Sequence, residues 1–194
     1  MTDITLSPWI ETHSGRKFEF LSPTPDMVDI DDIAHSLSRQ CRFSGHTSKF
    51  YSVAEHSINV SLLSTNKLEG LLHDASEAYL LDIPSPIKQY LTNYKEIEHK
   101  VMCAIADKFG FWYPLPPDIK DADHAQLKTE AKHLLPSQGK DWADQYQTKI
   151  QVGITPKCLV PDLAKEMFLG MFEMINQLKD SEELASKWHS LSKN

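Results

Sequence analysis

From residue 30 onward the chain reads as a succession of helices, because residues that start and stop helices recur at helix-length intervals. Asp31 or Asp32 can cap a helix running through Ile33, Leu37 and Gln40. Ser52-Val53-Ala54-Glu55 has the form of a capping box and opens a helix whose apolar stripe includes Val53, Val60 and Leu63. A further helix is predicted from about Lys67 to Leu80, stopping before the turn at Pro84 and Pro86. Asn93-Tyr94-Lys95-Glu96 reads as another capping box, and its helix should end near Gly110. Pro116 and Pro117 precede a helix through Ile119, Ala122, Leu127 and Leu134. Pro161 opens one rich in Leu, Met and Phe, and Asp180 can cap a last one over Ser181–Leu191. Ahead of all these, Ile10–Leu21 alternates around Ser14-Gly15 and reads as a short β-hairpin. The predicted class is therefore all-α, a compact helical bundle with a small N-terminal β-hairpin. The Met and Phe positions in 167–175 are read as core packing. There are no repeats, low-complexity tracts or Gly/Ser linkers, so residues 1–194 are read as a single domain.

Several functional classes fall away on composition. No apolar run approaches the ~20 residues of a membrane span, and the first fifteen residues lack the basic and apolar regions of a signal peptide. Cys41, Cys103 and Cys158 are scattered and form no CxxC pair, which reads as reduced thiols in a cytoplasm. Any zinc would then need His and carboxylate ligands. With 20 Lys and Arg against 27 Asp and Glu, the net charge of −7 argues against a polymeric nucleic acid partner. A small anionic substrate needs only a few local cations and a metal, so it stays open.

The densest chemistry is in Leu72-His73-Asp74-Ala75-Ser76-Glu77. On a helix, His73 and Asp74 lie about 100° apart, so one ion between them can take both. Glu77 falls at i+3 and i+4 from them, on the same face. Leu71, Leu72, Ala75 and Ala78 around them are apolar, and a buried charge is costly unless paired or metal-bound. His56 lies in phase with Val53 and Val60 on the preceding helix, and Asp123 roughly in phase with Ile119 and Leu127 on a later one. Alone, such a histidine is more often a satisfied core residue than a ligand, and a lone aspartate there can be a simple surface residue. Together they offer two imidazoles and two carboxylates from three helices, a set suited to Zn, Mn, Co or Fe in an open site.

The order His56…His73-Asp74…Asp123, with intervals of 17 and 49 residues, resembles the signature of the HD-domain phosphohydrolase superfamily. Cys41-Arg42-Phe43-Ser44-Gly45-His46, Tyr51–His56, His73–Tyr79 and Asp82–Lys88 are similar to one branch of small bacterial and phage enzymes, and the likeness spans roughly residues 10–180. That branch holds 5′-deoxynucleotidases and phage dATP triphosphohydrolases. The resemblance implies an HD-domain helical fold, and metal ligation by His56, His73, Asp74 and Asp123, with Zn, Co or Mn as the ion. It implies a phosphate-binding role for Arg42, a proton-transfer or water-orienting role for Glu77, and sugar contact or nucleophile placement for Asp82. Lys88 and Lys120 can hold a polyphosphate tail or be solvated lysines. His46 and His124 are expected outside the ligand set, and Phe43 and Pro86 at most beside the base.

The function this implies is hydrolysis of dATP to deoxyadenosine and triphosphate, extending to dADP and dAMP, which would deplete the dATP pool. The alternatives are a 5′-deoxynucleotidase acting on monophosphates, a hydrolase of a signalling nucleotide, and a noncatalytic module whose metal staples helices. The expected partner is a small nucleotide, with no membrane. Relatives in the branch imply a homo-oligomer, dimer or hexamer, in the cytoplasm (of the host, if phage-encoded).

Overall fold

A computed structural model describes the backbone of residues 8–191 and the side chains of residues 8–179. Two short strands, β1 (Trp9–Glu11) and β2 (Lys17–Glu19), pair antiparallel with Ile10 opposite Phe18. Gly15, at φ 79°, closes the turn between them. The rest is mostly helix, so the all-α class with an N-terminal hairpin holds. The helices are α1 (Ile30–Arg39), α2 (Val53–Leu63), α3 (Lys67–Leu72), α4 (Glu77–Leu80), α5 (Ser85–Lys88), α6 (Tyr94–Phe109), α7 (Pro117–Leu134) and α8 (Pro161–Leu191). No helix among the described residues is long and apolar enough to cross a membrane.

The chain is organised around α2. Every residue from Val53 to Ser61 is buried, because α3, α7, α8 and α1 pack against successive sides of it. Its polar residues are small or hydrogen-bonded. Ser57 and Ser61 take little space, Ser61 donates to Lys67 O at 2.7 Å, and Asn59 donates to the Tyr51 hydroxyl at 3.1 Å. One contiguous core gathers Phe18 from the hairpin, Ile33 and Leu37 from α1, Ile58 from α2, Leu71 from α3, Ile105 from α6 and Phe168 from α8. At Gly70, α3 crosses α2 so closely that a Cβ would stand 2.7 Å from Ser64 Oγ and 2.8 Å from Ser61 Cα. This close crossing brings the residue after α3, His73, over His56 of α2.

The boundaries differ from the sequence reading at four places. The cap of α1 is Asp29, whose carboxylate accepts from Asp31 N at 2.9 Å. Asp32 is instead buried and accepts from Ser14 N at 2.6 Å and Ser14 Oγ at 2.8 Å, tying the hairpin turn to α1. The predicted helix Lys67–Leu80 is broken: α3 ends at Leu72 and residues 73–76 form tight turns, with Ala75 N bonded to Leu72 O and Glu77 N to Asp74 O. Asn93 is no capping box, since it sits at φ 65° without a side-chain cap bond. There is also no separate final helix: α8 continues through Asp180 to Leu191. The Ser52 cap is present, accepting from Glu55 N at 3.1 Å. Within 167–175, Phe168 and Ile175 are core, whereas Met167 and Met174 are exposed. The three cysteines are free thiols.

Candidate metal centre and its cavity

His56 arrives on α2, His73 in the tight turn after α3, and Asp123 on α7. Their donor atoms lie within 4.8 Å of one another, so this group can hold a metal ion. The two imidazole Nε2 atoms face each other at 3.2 Å. Asp123 Oδ1 is 3.2 Å from His56 Nε2, and Asp74 Oδ2 is 3.2 Å from His73 Nε2 and 3.6 Å from His56 Nε2.

The outer nitrogens explain why this convergence suits a cation. His56 Nδ1 lies 2.6 Å from the Glu130 carboxylate, and His73 Nδ1 lies 2.9 Å from Gly70 O. Both outer partners are acceptors, so in the neutral rings each Nδ1 carries the hydrogen and each Nε2 presents a lone pair inward. Two lone pairs and two carboxylates then point at one small volume. Such a set repels itself unless a proton or metal ion lies among it. Its electrostatics agree. Burial and Arg42 push the His56 imidazolium down, yet Glu130 and Asp123 outweigh them, and the pKa rises to about 10. Burial raises Asp74 and Asp123, but the neighbouring histidines bring both below the ordinary carboxylate value, with Arg42 adding to the effect at Asp74.

Arg42 is buried beside this cluster. Its Nη1 is 3.5 Å from Asp74 Oδ2 and 3.9 Å from Asp82 Oδ2, and its Nη2 is 3.4 Å from Glu130 Oε2. These contacts are long, and Nε is buried without a hydrogen-bond partner among the described residues, so the guanidinium keeps donor capacity for an anion.

Glu77 opens α4, almost fully buried. In a tight turn i and i+3 eclipse, so Glu77 keeps to the side of Asp74 although the continuous helix is absent. Burial, with Asp74 and Asp82 nearby, raises its pKa well above the usual 4.5 against the pull of Lys88 and Arg42. Its Oε2 has no hydrogen-bond partner among the described residues. Lys88 Nζ lies 3.3 Å from Glu77 Oε1 but 3.0 Å from Glu98 Oε1, so Glu98 can hold the ammonium while Glu77 carries a proton. Burial alone would lower Lys88, and the two glutamates reverse that. Lys88 is thus engaged with carboxylates, and Lys120 is exposed one turn before Asp123 on α7. His46 is exposed and His124 bonds Gln147 O, both outside the ligand group as expected.

Three supporting residues escaped the sequence reading. Glu130 is fully buried on α7 and also accepts from the Tyr51 hydroxyl at 2.8 Å. Its only sequence signal was its position, seven residues after Asp123 and so on the same face of the helix. Gln40 bridges the segment carrying the acids, donating to Glu77 O at 2.9 Å and accepting from Asp82 N at 3.0 Å. Glu55 accepts from three consecutive backbone amides, Lys157, Cys158 and Leu159, at 2.6, 3.1 and 2.7 Å. A cavity of about 470 Å³ opens from Arg42 and Asp82 toward Trp142 and Tyr146.

No family model matches the chain. It is 37% identical over 175 residues to the uncharacterized protein YfdR of Escherichia coli K12, covering 88% of this chain and 97% of that one. It is also 35% identical over 142 residues to the uncharacterized protein RCAP_rcc00048 of Rhodobacter capsulatus, covering 65% and 72%.

Proposed function

We propose that this chain, which belongs to the same family as YfdR, is a metal-dependent phosphohydrolase of the HD-domain type acting on deoxynucleotides, with dATP as the leading substrate. One observation carries the reading. Two imidazole Nε2 atoms 3.2 Å apart, held as inward acceptors, converge with Asp74 and Asp123 beside a buried arginine with spare donors.

His56, His73, Asp74 and Asp123 would hold one divalent ion, with Zn, Co or Mn matching the donor types. When bound, such an ion supplies Lewis-acid polarisation of a phosphoryl oxygen and an activated water. Arg42 binds the phosphoryl oxygens and offsets charge that grows on them. Glu77, its pKa raised by burial and by Asp74 and Asp82, gives its proton to the departing 5′-oxygen. Asp82, on the cavity wall next to Arg42, orients the sugar. Gln40 fixes the backbone at both acids, so their spacing survives the left-handed Leu81 between them, at φ 72°. A metal that only staples helices requires neither Arg42 nor a protonated Glu77.

A second reading is hydrolysis of deoxynucleoside monophosphates. The engagement of Lys88 by Glu77 and Glu98 favours it, because an occupied ammonium contributes less to a polyphosphate tail. Product analysis separates the two. The protein loaded with Co, Mn or Zn is incubated with each deoxynucleotide, and phosphate, pyrophosphate and triphosphate are resolved. Triphosphate released from dATP supports the leading reading, and phosphate from dAMP alone supports the second. No turnover of any nucleotide overturns both.

A further inference from the structure

The longest helix of the chain carries a face that its own core does not use. In α8, Ala164, Phe168 and Ile175 are buried on the side where α1, α2 and α3 pack. About a quarter-turn around the helix from them, Val160, Leu163, Met167, Met174 and Leu178 are all exposed. Val160 belongs to this face because its carbonyl accepts from Ala164 N in the first turn. Gly170 completes the line, and a Cβ built there would meet nothing within 4 Å. The six positions form a stripe about 27 Å long at the helical rise. Single exposed apolar side chains are ordinary, whereas a continuous line of them marks an interaction surface. Among the described residues no other helix exposes more than one large apolar side chain.

The spacing is that of a coiled-coil seam, with Val160, Met167 and Met174 at a positions and Leu163 and Gly170 at d positions. In the sequence the same register continues at Leu184, Trp188 and Leu191, interrupted by the polar Gln177 and Ser181. Polar residues at seam positions fix register at a cost in stability. The helix also outruns the body it packs on. From Asn176 to Lys179, a full turn, no residue is buried. The backbone then stays helical for about three more turns, to Leu191. A helix standing free over that length is marginal in water, so the fold leaves it in need of another surface.

We propose that this seam is a homodimer interface, in which α8 packs parallel and in register against α8 of a second copy. A heptad seam is filled by a helix of the same spacing, and twofold symmetry lets one such face serve both sides. Charge sets the direction. The g positions beside the seam hold Glu166 and Glu173, both exposed, and the e positions hold Met171 and Leu178. Antiparallel pairing sets g against g and gathers the glutamates of both copies, which repel. Parallel pairing sets g against e, so each glutamate lies along an apolar residue of the other copy. The same acidic flank is repelled by an anionic lipid surface, the other common occupant of an amphipathic helix. No residue of the metal centre lies on this face, so the dimer stands independently of the phosphohydrolase reading.

Sedimentation velocity of the full chain at about 100 µM, where a micromolar interface is occupied, should give twice the chain mass with or without added Zn. Met167→Glu combined with Met174→Glu puts charge into the seam at positions that are exposed and do not pack on the core. This variant should be monomeric with its helical circular dichroism intact. Trp112→Glu, at an exposed aromatic away from α8, should stay dimeric. A wild-type monomer overturns the proposal, whether or not the chain co-sediments with anionic vesicles, and so does a dimer that survives the double substitution. Cysteine cross-linking reads the direction and does not depend on the charged variant folding. Leu163→Cys and Met174→Cys, each alone, should give disulfide-linked dimers on mild oxidation, above the level produced by the native free thiols. In-register parallel helices bring like positions together within disulfide reach. Cross-links that form only when the two variants are mixed would mean antiparallel helices and overturn the parallel dimer.

Discussion

The carboxylate of Glu130 lies 2.6 Å from His56 Nδ1, both side chains being fully buried. This contact fixes the imidazole so that Nε2 faces His73 and Asp123, and it makes the ring a stronger donor. Glu130→Gln keeps the shape but loses the charge, and metal affinity should fall about 10–100-fold. Glu130→Ala also removes the carboxylate that Tyr51 and Arg42 share, and the variant should lose about 3–5 kcal/mol of stability. Metal titration calorimetry and denaturant melts read the two effects. Wild-type affinity in Glu130→Gln would remove Glu130 from the metal centre.

Metal should stabilise the fold. The donors of His56, His73 and Asp123 come from three chain segments and meet within 4.8 Å, and no unfolded chain holds them together. Added Zn, Co or Mn should raise the melting temperature, by about 2.7 kcal/mol of stability at a hundredfold excess over Kd, and chelator should reverse the shift. His73→Ala and Asp74→Ala should abolish both the shift and any activity. Binding should also release a proton near neutral pH and tighten as pH rises, because His56 in the metal-free cluster holds its proton up to about 10. A melting temperature indifferent to metal would sink the metal centre.

Glu77 predicts a distinct pH signature. Its folded pKa is raised, so the stability it contributes is full below the unfolded value near 4.5 and is lost as pH rises through the folded pKa. In metal-free protein, Glu77→Gln should melt close to wild type at pH 4 and above it at pH 8. The same variant should keep metal and lose most activity. A melting difference that does not change with pH would mean that Lys88 keeps Glu77 ionised, and full activity would remove Glu77 from the reaction.

Glu55 holds the irregular strap before α8 through three amides, across the positive φ of Cys158. Hydrogen bonds to a charged acceptor contribute about 1.5–3 kcal/mol each in favourable cases, and their sum is limited by local rearrangement of the strap. Glu55→Ala should therefore cost about 2–5 kcal/mol and should speed hydrogen exchange at residues 157–159 before the rest of the chain. Unchanged protection at those amides would show that packing, not Glu55, fixes the strap.

What the sequence could reveal was local. Ser52, Gly110, Pro117 and Pro161 mark helix ends because caps and prolines act within a few residues of themselves. Apolar spacing placed Ile119 and Ala122 inside, since burial of one helix face leaves a period. The residue types at 56, 73 and 123 declared a donor set, and the structure brings those three together.

Tertiary structure decided the rest. The break at His73 follows from packing α3 onto α2 at Gly70 and from tight-turn bonds, neither of which leaves a repeat in the sequence. Glu130 is 74 residues from His56, Gln40 is 42 from Asp82, and Glu55 is more than 100 from the amides it binds. No local rule links positions that far apart. In the sequence Lys88 reads as a tail-binding cation or a solvated lysine; in the fold Glu77 and Glu98 engage its ammonium. The sequence by itself determined a helical chain carrying two histidines and two aspartates. Only the fold decided which way their lone pairs face, because a ring's tautomer is set by its outer hydrogen bond, and that partner comes from elsewhere in the structure.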